Sequence, residues 1–440
     1  MNASGSENPE GPDDAAVPDW QGALAEHLVR PARADKSWSP ALEGWRPGTP
    51  GPPVSELGSP VVTLDVDALG HNLAAMASWA RSRDVDLAPH GKTTMCPALW
   101  HWQVAAGARA ITVANVTGAR IAVDAGIERV VIANEVVDPG GLAELAGLLT
   151  KDPDLDLVCW VDSVAGATWM SEHLRAAGAP RPLGVCVEFG MAGGRSGAST
   201  TEAAIEVARA VRVSPMLALR GVSGYEGSSP AQSEADREQD AIVFLDQLAG
   251  LFLACAPLVE AEQPIFSAGG SMYFDHVADA AARIREVPGS VVLVRSGSSL
   301  IHDDGLFARL TPSTRGRGPE LRAAAHVWSR VLSAPEPGRA ILDAGRRDLP
   351  FDAGLPVPQR VHRARGDDTE QLSPNWWATA MNDQHLHLAG SGVELQIGDL
   401  VRLGISHPCT LLDKWRTVLL VQSSDDSGRS HVVGALATSF

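Results

Sequence analysis

The stretch Val85-Asp86-Leu87-Ala88-Pro89-His90-Gly91-Lys92-Thr93-Thr94 runs from a short apolar strand into a lysine flanked by a histidine and two threonine hydroxyls. A lysine placed where a strand stops can be held out of water, and an ammonium deprived of water gives up its proton more easily. The free amine is a nucleophile able to form a Schiff base. Taken alone, the same residues also read as a solvated loop, and the sequence beyond them decides. Apolar runs recur at 85–89, 110–114, 130–133, 155–161, 183–189, 217–221, 264–267 and 291–294. Between them lie Ala/Leu-rich segments of helical length and period, at 117–125, 141–149, 164–177, 200–213, 233–256 and 273–286. Eight short strands joined through helices predict an α/β fold, a (β/α)8 TIM-like barrel. A doubly wound open sheet is the competing layout, which periodicity alone does not exclude.

Working outward, the barrel is expected over residues 60–312, opening with an apolar strand at 61–66 and a helix capped by Asp67 that runs to about Arg83. Residues 1–59 form an N-terminal extension. Its first 19 residues are acidic and rich in proline and glycine, the composition of a disordered tail, and a helical fragment at 21–29 leads into a segment expected to wrap a domain or a neighbouring subunit. Beyond residue 311 the pattern changes to short strands, at 323–332, 339–343, 393–396, 399–403 and 417–422, so 313–440 reads as a C-terminal, mostly-β domain. The net charge of -17 argues against a nucleic acid or an anionic membrane as partner. The longest apolar stretch, 242–258, is interrupted by Asp246 and reads as a buried helix, and no secretory leader is visible. Five scattered cysteines indicate reduced, cytoplasmic usage.

Residues just after the strands form the active-site face of such a barrel. Here they are His90 and Lys92, Asn115, Asn134 with Glu135, Asp162 with Ser163, Glu188 with Arg195, Tyr225 with Glu226, Gly269-Gly270-Ser271, and Arg295-Ser296-Gly297-Ser298. The two glycine/serine turns follow strands seven and eight, where barrels commonly bind phosphate: glycine admits close backbone approach and serine donates. A lysine after strand one and a phosphate cradle after strands seven and eight together describe pyridoxal 5′-phosphate, held at its aldehyde and at its tail. That cofactor is an electron sink for carbanion chemistry.

The run Pro89-His90-Gly91-Lys92-Thr93, with Gln103, Gly107-Ala108, Ile111-Thr112-Val113-Ala114 and Ala125-Gly126-Ile127, resembles the opening of the D-serine dehydratase and D-threonine aldolase family. The likeness continues through Val187-Glu188, Arg195-Ser196-Gly197, Gly224-Tyr225-Glu226-Gly227-Ser228 and Gly269-Gly270-Ser271 to His407-Pro408-Cys409, leaving out the N-terminal extension. These are fold-type III pyridoxal phosphate enzymes, so the resemblance implies an alanine-racemase-like barrel followed by a β domain, a small-molecule D-amino acid substrate and a homodimer. It implies Lys92 as the Schiff-base lysine and the acid/base at the substrate Cα. It also implies His90, Arg195 and Tyr225 beside the cofactor, and Gly269, Gly270, Ser271, Gly297 and Ser298 around the phosphate.

In an extended segment His407 and Cys409 face the same way, and imidazole plus thiolate suits Zn2+, with Mn2+ or Mg2+ as alternatives. As two residues they equally describe a buried cysteine beside a structural histidine; the family has a His-x-Cys or His-x-Asp metal pair at this place. Asn382-Asp383-Gln384-His385-Leu386-His387 stands where relatives carry an acidic pair, a histidine and a glycine. His385 is there either a catalytic proton-transfer residue or a solvated turn histidine. Glu226 also departs, at a position often histidine in relatives. The expected activity is a lyase acting on a β-hydroxy D-amino acid, with two routes open. Loss of the Cα proton and the β-hydroxyl gives a 2-oxo acid and ammonia; retro-aldol cleavage gives glycine and an aldehyde. The cysteine ligand resembles the dehydratase branch, which favours the first. Two other classes are weighed against these: a cofactor-binding protein without turnover, whose relatives lack a β domain and a His-x-Cys pair, and a metal-dependent barrel hydrolase in which Lys92 is structural.

Overall fold

The apolar runs pair edge to edge in a single parallel sheet. The computed structural model describes residues 17–365, 369–372, 374–423 and 430–440. The strands are Asp86–Leu87, Ile111–Val113, Arg129–Glu135, Asp156–Val161, Leu183–Phe189, Leu217–Gly224, Ile265–Ala268 and Val291–Val294. From the second to the eighth each lies beside the next, the first lies beside the eighth, and a bridge between His90 and Thr112 closes the ring. This is the TIM-like (β/α)8 barrel. Side chains alternate in direction along each strand, so Val131, Trp160 and Cys186 fill the interior while Ile132, Cys159 and Val185 meet the helices. Burial on both faces is why the strands read as unbroken apolar runs.

Several strand-end residues are consumed in starting helices. Asn115, Asp138, Ser163, Thr200 and Ser233 each accept a backbone N–H at the start of Val116–Asp124, Pro139–Lys151, Val164–Ala176, Thr201–Arg212 and Glu234–Cys255. Among the described residues one helical segment, Glu234–Leu258, is long and apolar enough to cross a membrane by length and composition; Phe244, Leu245, Leu248 and Phe252 from it join the barrel core.

The strand Val61–Asp65, grouped with the barrel on sequence, belongs to the other sheet. It pairs antiparallel with Ala325–Glu336 and parallel with Thr417–Ser423. Val61 to Leu64 are all buried, so the run is as apolar as a barrel strand and its sequence does not betray which sheet it enters. Asp65, not Asp67, caps the helix Val66–Arg83, its Oδ1 lying 2.9 Å from Ala68 N, while Asp67 accepts from Gln422 Nε2 at 3.0 Å. The C-terminal sheet is mostly antiparallel and also contains Arg339–Leu342, Val357–His362, Thr369–Gln371, Trp377–Met381, Leu386–Ala389, Leu400–Gly404 and Ser430–Ala437. The strand expected at 393–396 is absent. Asp399 draws Gln396 N into a turn at 3.0 Å, and Val393 O accepts from Trp376 Nε1 at 2.9 Å. Five of the strands are not among those expected; one of them, Thr369–Gln371, is a short edge strand with polar side chains on both faces.

The tail expected to be disordered lies, over residues 1–16, outside the described residues. The rest of the extension wraps this chain's own β domain. Leu42, Trp45, Val54 and Leu57 pack on Trp328, Leu419 and Val432, and Val29 N and Gly51 N donate to Ala435 O and Val432 O, covering the edge of Ser430–Ala437. The helical fragment is the turn-and-a-half Trp20–Leu24, continued by a tighter turn at Ala25–His27.

Candidate active site

The lysine turn, Gly91–Thr93, follows the first barrel strand and rests on Trp100 of the helix Pro97–Ala105. Trp100 Nε1 donates to Gly91 O at 3.3 Å and Thr94 Oγ1 at 3.2 Å, and a Cβ on Gly91 would lie 2.7 Å from the indole. Glycine is therefore what lets Lys92 project into a cavity of about 550 Å³ at the barrel mouth. The volume falls in the range of small-molecule sites. Burial, helped by Arg195 and Arg295, lowers the Lys92 pKa against the opposing pull of the Cys409 sulfur. Burial first, then Lys92, Arg295 and Arg195, push the His90 pKa well below its usual value, and its Nδ1 is buried with no partner among the described residues.

Arg295 was read only as a strand-end residue, yet it lines the cavity as a buried cation. Its guanidinium donates to Ser267 Oγ at 2.6 Å, Gly224 O at 2.6 Å and Ser223 Oγ at 3.2 Å, and lies 5.4 Å from the Trp160 ring centroid. Arg195 lies 4.7 Å from the Tyr225 ring centroid. The phenol there is pushed up to about 12, by burial first and by Glu226 second. Three cations around one cavity suit a ligand carrying a phosphate.

The glycine/serine cradle is divided between tasks. Gly269 N and Gly270 N donate to the two carboxylate oxygens of the fully buried Glu226, at 2.9 and 2.7 Å. Those amides brace the turn from behind and are not free for a phosphate. Gly270 also leaves room for Tyr225, whose ring a Cβ would meet at 2.8 Å, and Gly297 allows the eighth-strand turn to sit against the His90 carbonyl. Ser298 gives its N–H to Ser271 Oγ at 3.1 Å, and its hydroxyl lies 3.2 Å from Cys409 Sγ. Ser271 Oγ, accepting from Ser296 Oγ and Ser298 N, keeps its own proton to donate into the cavity.

The loop after Leu400–Gly404 brings the β domain to this mouth. Asp304 N and Leu306 N donate to Ile405 O and Ser406 O, fastening that loop to the turn after the eighth barrel strand. His407 and Cys409 then line the same cavity as Lys92. Cys409 Sγ is 3.4 Å from Thr93 Oγ1, beside the lysine. Burial would raise the thiol, but hydrogen bonds from His407, Ser298 and Thr93 prevail and lower it. Burial likewise opposes charge on His407, while Cys409 and Asp352 prevail and raise it to about 9. A thiol inclined to ionise beside an imidazole is a pair suited to a divalent ion. Among the described residues no group of three or more His, Cys, Asp or Glu side chains forms a ready-made set, which leaves the ion's other positions open.

His385 is not brought to the cavity. It sits exposed in the turn joining Trp377–Met381 to Leu386–Ala389, while His387 Nε2 pairs with Asn382 Oδ1 at 2.8 Å. Sequence reasoning also passed over an acidic pair. Glu188 lines the cavity and Glu135 ends the third strand behind it; Glu188 Oε2 and Glu135 Oε1 are buried without donors among the described residues. One proton held between them satisfies both, and burial together with Glu188 raises Glu135 to about 8. The strand-end rule was the available signal, since both glutamates satisfy it.

A family model described as "Alanine racemase, N-terminal domain" matches residues 64–294, and one described as "Putative serine dehydratase domain" matches residues 324–421. The D-threonine aldolase of Arthrobacter sp is 30% identical over 368 residues, which are 82% of this chain and 88% of that protein. The 3-hydroxy-D-aspartate aldolase of Paracoccus denitrificans (strain Pd 1222) is 29% identical over 70% of this chain and 78% of its own. The crystal structure of D-threonine aldolase from Filomicrobium marinum matches with a TM-score of 0.74 at 27% identity, covering 89% of this chain and 98% of that one. With these relatives the fold is that of a pyridoxal-phosphate-dependent lyase of fold-type III. Within that class the chain belongs to the D-serine dehydratase and D-threonine aldolase family.

Proposed function

We propose that this lyase acts on β-hydroxy D-amino acids and that its reaction is dehydration and deamination to a 2-oxo acid and ammonia. The observation that carries the reading is the placement of Lys92 in one cavity with His407 and Cys409, while His385 lies on an exposed turn. Retro-aldol cleavage needs a proton acceptor at the β-oxygen, the role His385 was suited for on sequence; dehydration needs a base at Cα, which Lys92 supplies.

Pyridoxal 5′-phosphate, when bound, supplies the electron sink for the bond broken at Cα. Lys92 would hold it at one end and Ser271 at the other, with the backbone of Gly269, Gly270, Gly297 and Ser298 shaping the space around the phosphate. Arg295 sets a fixed positive charge in the wall. His407 and Cys409 would hold a divalent ion, which supplies Lewis acidity toward a hydroxyl oxygen. The thiolate favours zinc over manganese or magnesium. Lys92 Nζ, its proton loosened by burial, takes the Cα proton. Leu306 and Phe307 close the side of the cavity next to His407 and exclude water there.

A second reading, retro-aldol cleavage to glycine and an aldehyde, is favoured by the names of the curated relatives described above, D-threonine aldolase and 3-hydroxy-D-aspartate aldolase. Product analysis with D-threonine separates the two. 2-Oxobutyrate with ammonia is the expected outcome; glycine with acetaldehyde would establish the aldolase reading in its place.

A further inference from the structure

Asp352 lies in the segment between the strands Arg339–Leu342 and Val357–His362, 55 residues before His407 in the chain, and nothing in the sequence pairs the two. In the fold they meet. Asp352 Oδ2 is 2.6 Å from His407 Nδ1, and Asp352 Oδ1 accepts from Thr410 Oγ1 at 2.7 Å. His407 precedes and Thr410 ends the short turn Pro408–Thr410 that carries Cys409, so one carboxylate ties both ends of the ligand-bearing turn.

We propose that Asp352 is the positioning residue of the metal pair: by accepting the Nδ1 proton of His407 it commits the Nε2 lone pair to an ion shared with Cys409. The proposal rests on reading His407 and Cys409 as metal ligands. An imidazole free to rotate about its Cβ–Cγ bond, or to move its proton between nitrogens, offers a ligand atom only part of the time. A fixed acceptor on one nitrogen removes both freedoms and makes the other nitrogen a better donor. The Phe307 ring, 5.8 Å from the imidazole centroid, limits the ring's remaining motion. Cys409 has anchors of its own in Thr93 and Ser298 besides the turn that Asp352 ties, so the imidazole is the ligand whose orientation depends most directly on Asp352. The Asp352 side chain is 45% exposed, and its removal leaves no buried cavity to destabilise the fold.

The test is a zinc titration of the cofactor-loaded full chain, stripped of metal and read by competition with a chromophoric chelator. In D352A the zinc dissociation constant should rise about 10- to 100-fold. D352N should lose less, because the asparagine carbonyl can still accept from Nδ1–H. Melting temperature and pyridoxal phosphate affinity should stay at wild-type values in both. Wild-type zinc affinity in D352A would overturn the positioning role while leaving the metal pair standing. Zinc binding unaffected by H407A and C409A, or absent from the wild type, would overturn the metal pair and the positioning role together.

Discussion

The two acid/base populations of the cavity are built on opposite terms. The cations Lys92, Arg195 and Arg295 belong to loops and strand ends that bind or brace something else. Arg295 alone is fixed by two serine hydroxyls and a carbonyl, and Lys92 by the packing of its turn on Trp100. Glu135 and Glu188 each have one buried carboxylate oxygen that faces no donor among the described residues, and burial raises the pKa of Glu135. The two guanidinium groups are charged by construction and ready for an anionic ligand, while burial loosens the proton of Lys92; the acidic pair has a charge that pH can change. Function in this family is expected to follow the first set, and pH response of the fold the second.

The largest effect should come from the cationic side. Lys92→Ala should lower turnover by about 10³- to 10⁴-fold, the scale of a lost acid/base group, with an unchanged circular dichroism spectrum. Retention of even a tenth of the activity would remove Lys92 from the chemistry. Cys409→Ala should cost about 10²- to 10³-fold, a few kcal/mol of charge stabilisation, and a chelator should reduce the wild type but not the variant any further. Steady-state assays with and without chelator read both.

On the acidic side the effect is on stability. Glu135 in the folded chain titrates at about 8 against an ordinary 4.5, so the shared proton stabilises the fold fully below the ordinary value. That contribution is lost as pH rises through about 8. Glu135→Gln replaces the proton with a permanent N–H donor. Its melting temperature should pass the wild type's by about 2–4 °C near pH 9 and converge with it near pH 5. A gap independent of pH would mean that the two carboxylates do not share a proton. The smallest change should be that of His385→Ala, less than about twofold in kcat/KM, since its ring is on an exposed turn. A loss beyond tenfold would move that turn into the active site and restore the aldolase base.

The barrel was legible because strands buried on both faces and helices with one apolar face write different periods, and because strand ends are the one place in this fold where chemistry collects. Lys92 stands out by position, Arg195 and Tyr225 take their roles from the family resemblance, and Arg295, Glu135 and Glu188 stand at equally marked positions to which the sequence gives no role. What their burial did to them, such as depriving Glu135 of donors, depends on neighbours from other strands and has no local signature. Glu226 shows the same limit. As a sequence departure it was visible, but its two bonds to Gly269 N and Gly270 N, which change what the cradle can offer, come from the packing of two loops. Asp352 lay beyond reach, since no spacing rule connects it with His407.

The placement of Val61–Asp65 has a consequence in time. Thr63 and its partner His326 are 263 residues apart, and the entire barrel is synthesised between them. At the usual pace of translation the strand waits on the order of tens of seconds for its neighbour. During that interval it is an apolar edge joined to a barrel that can already assemble. A nascent chain of this design gives chaperones a defined segment to guard, and truncation from either end strands the remainder of the second sheet.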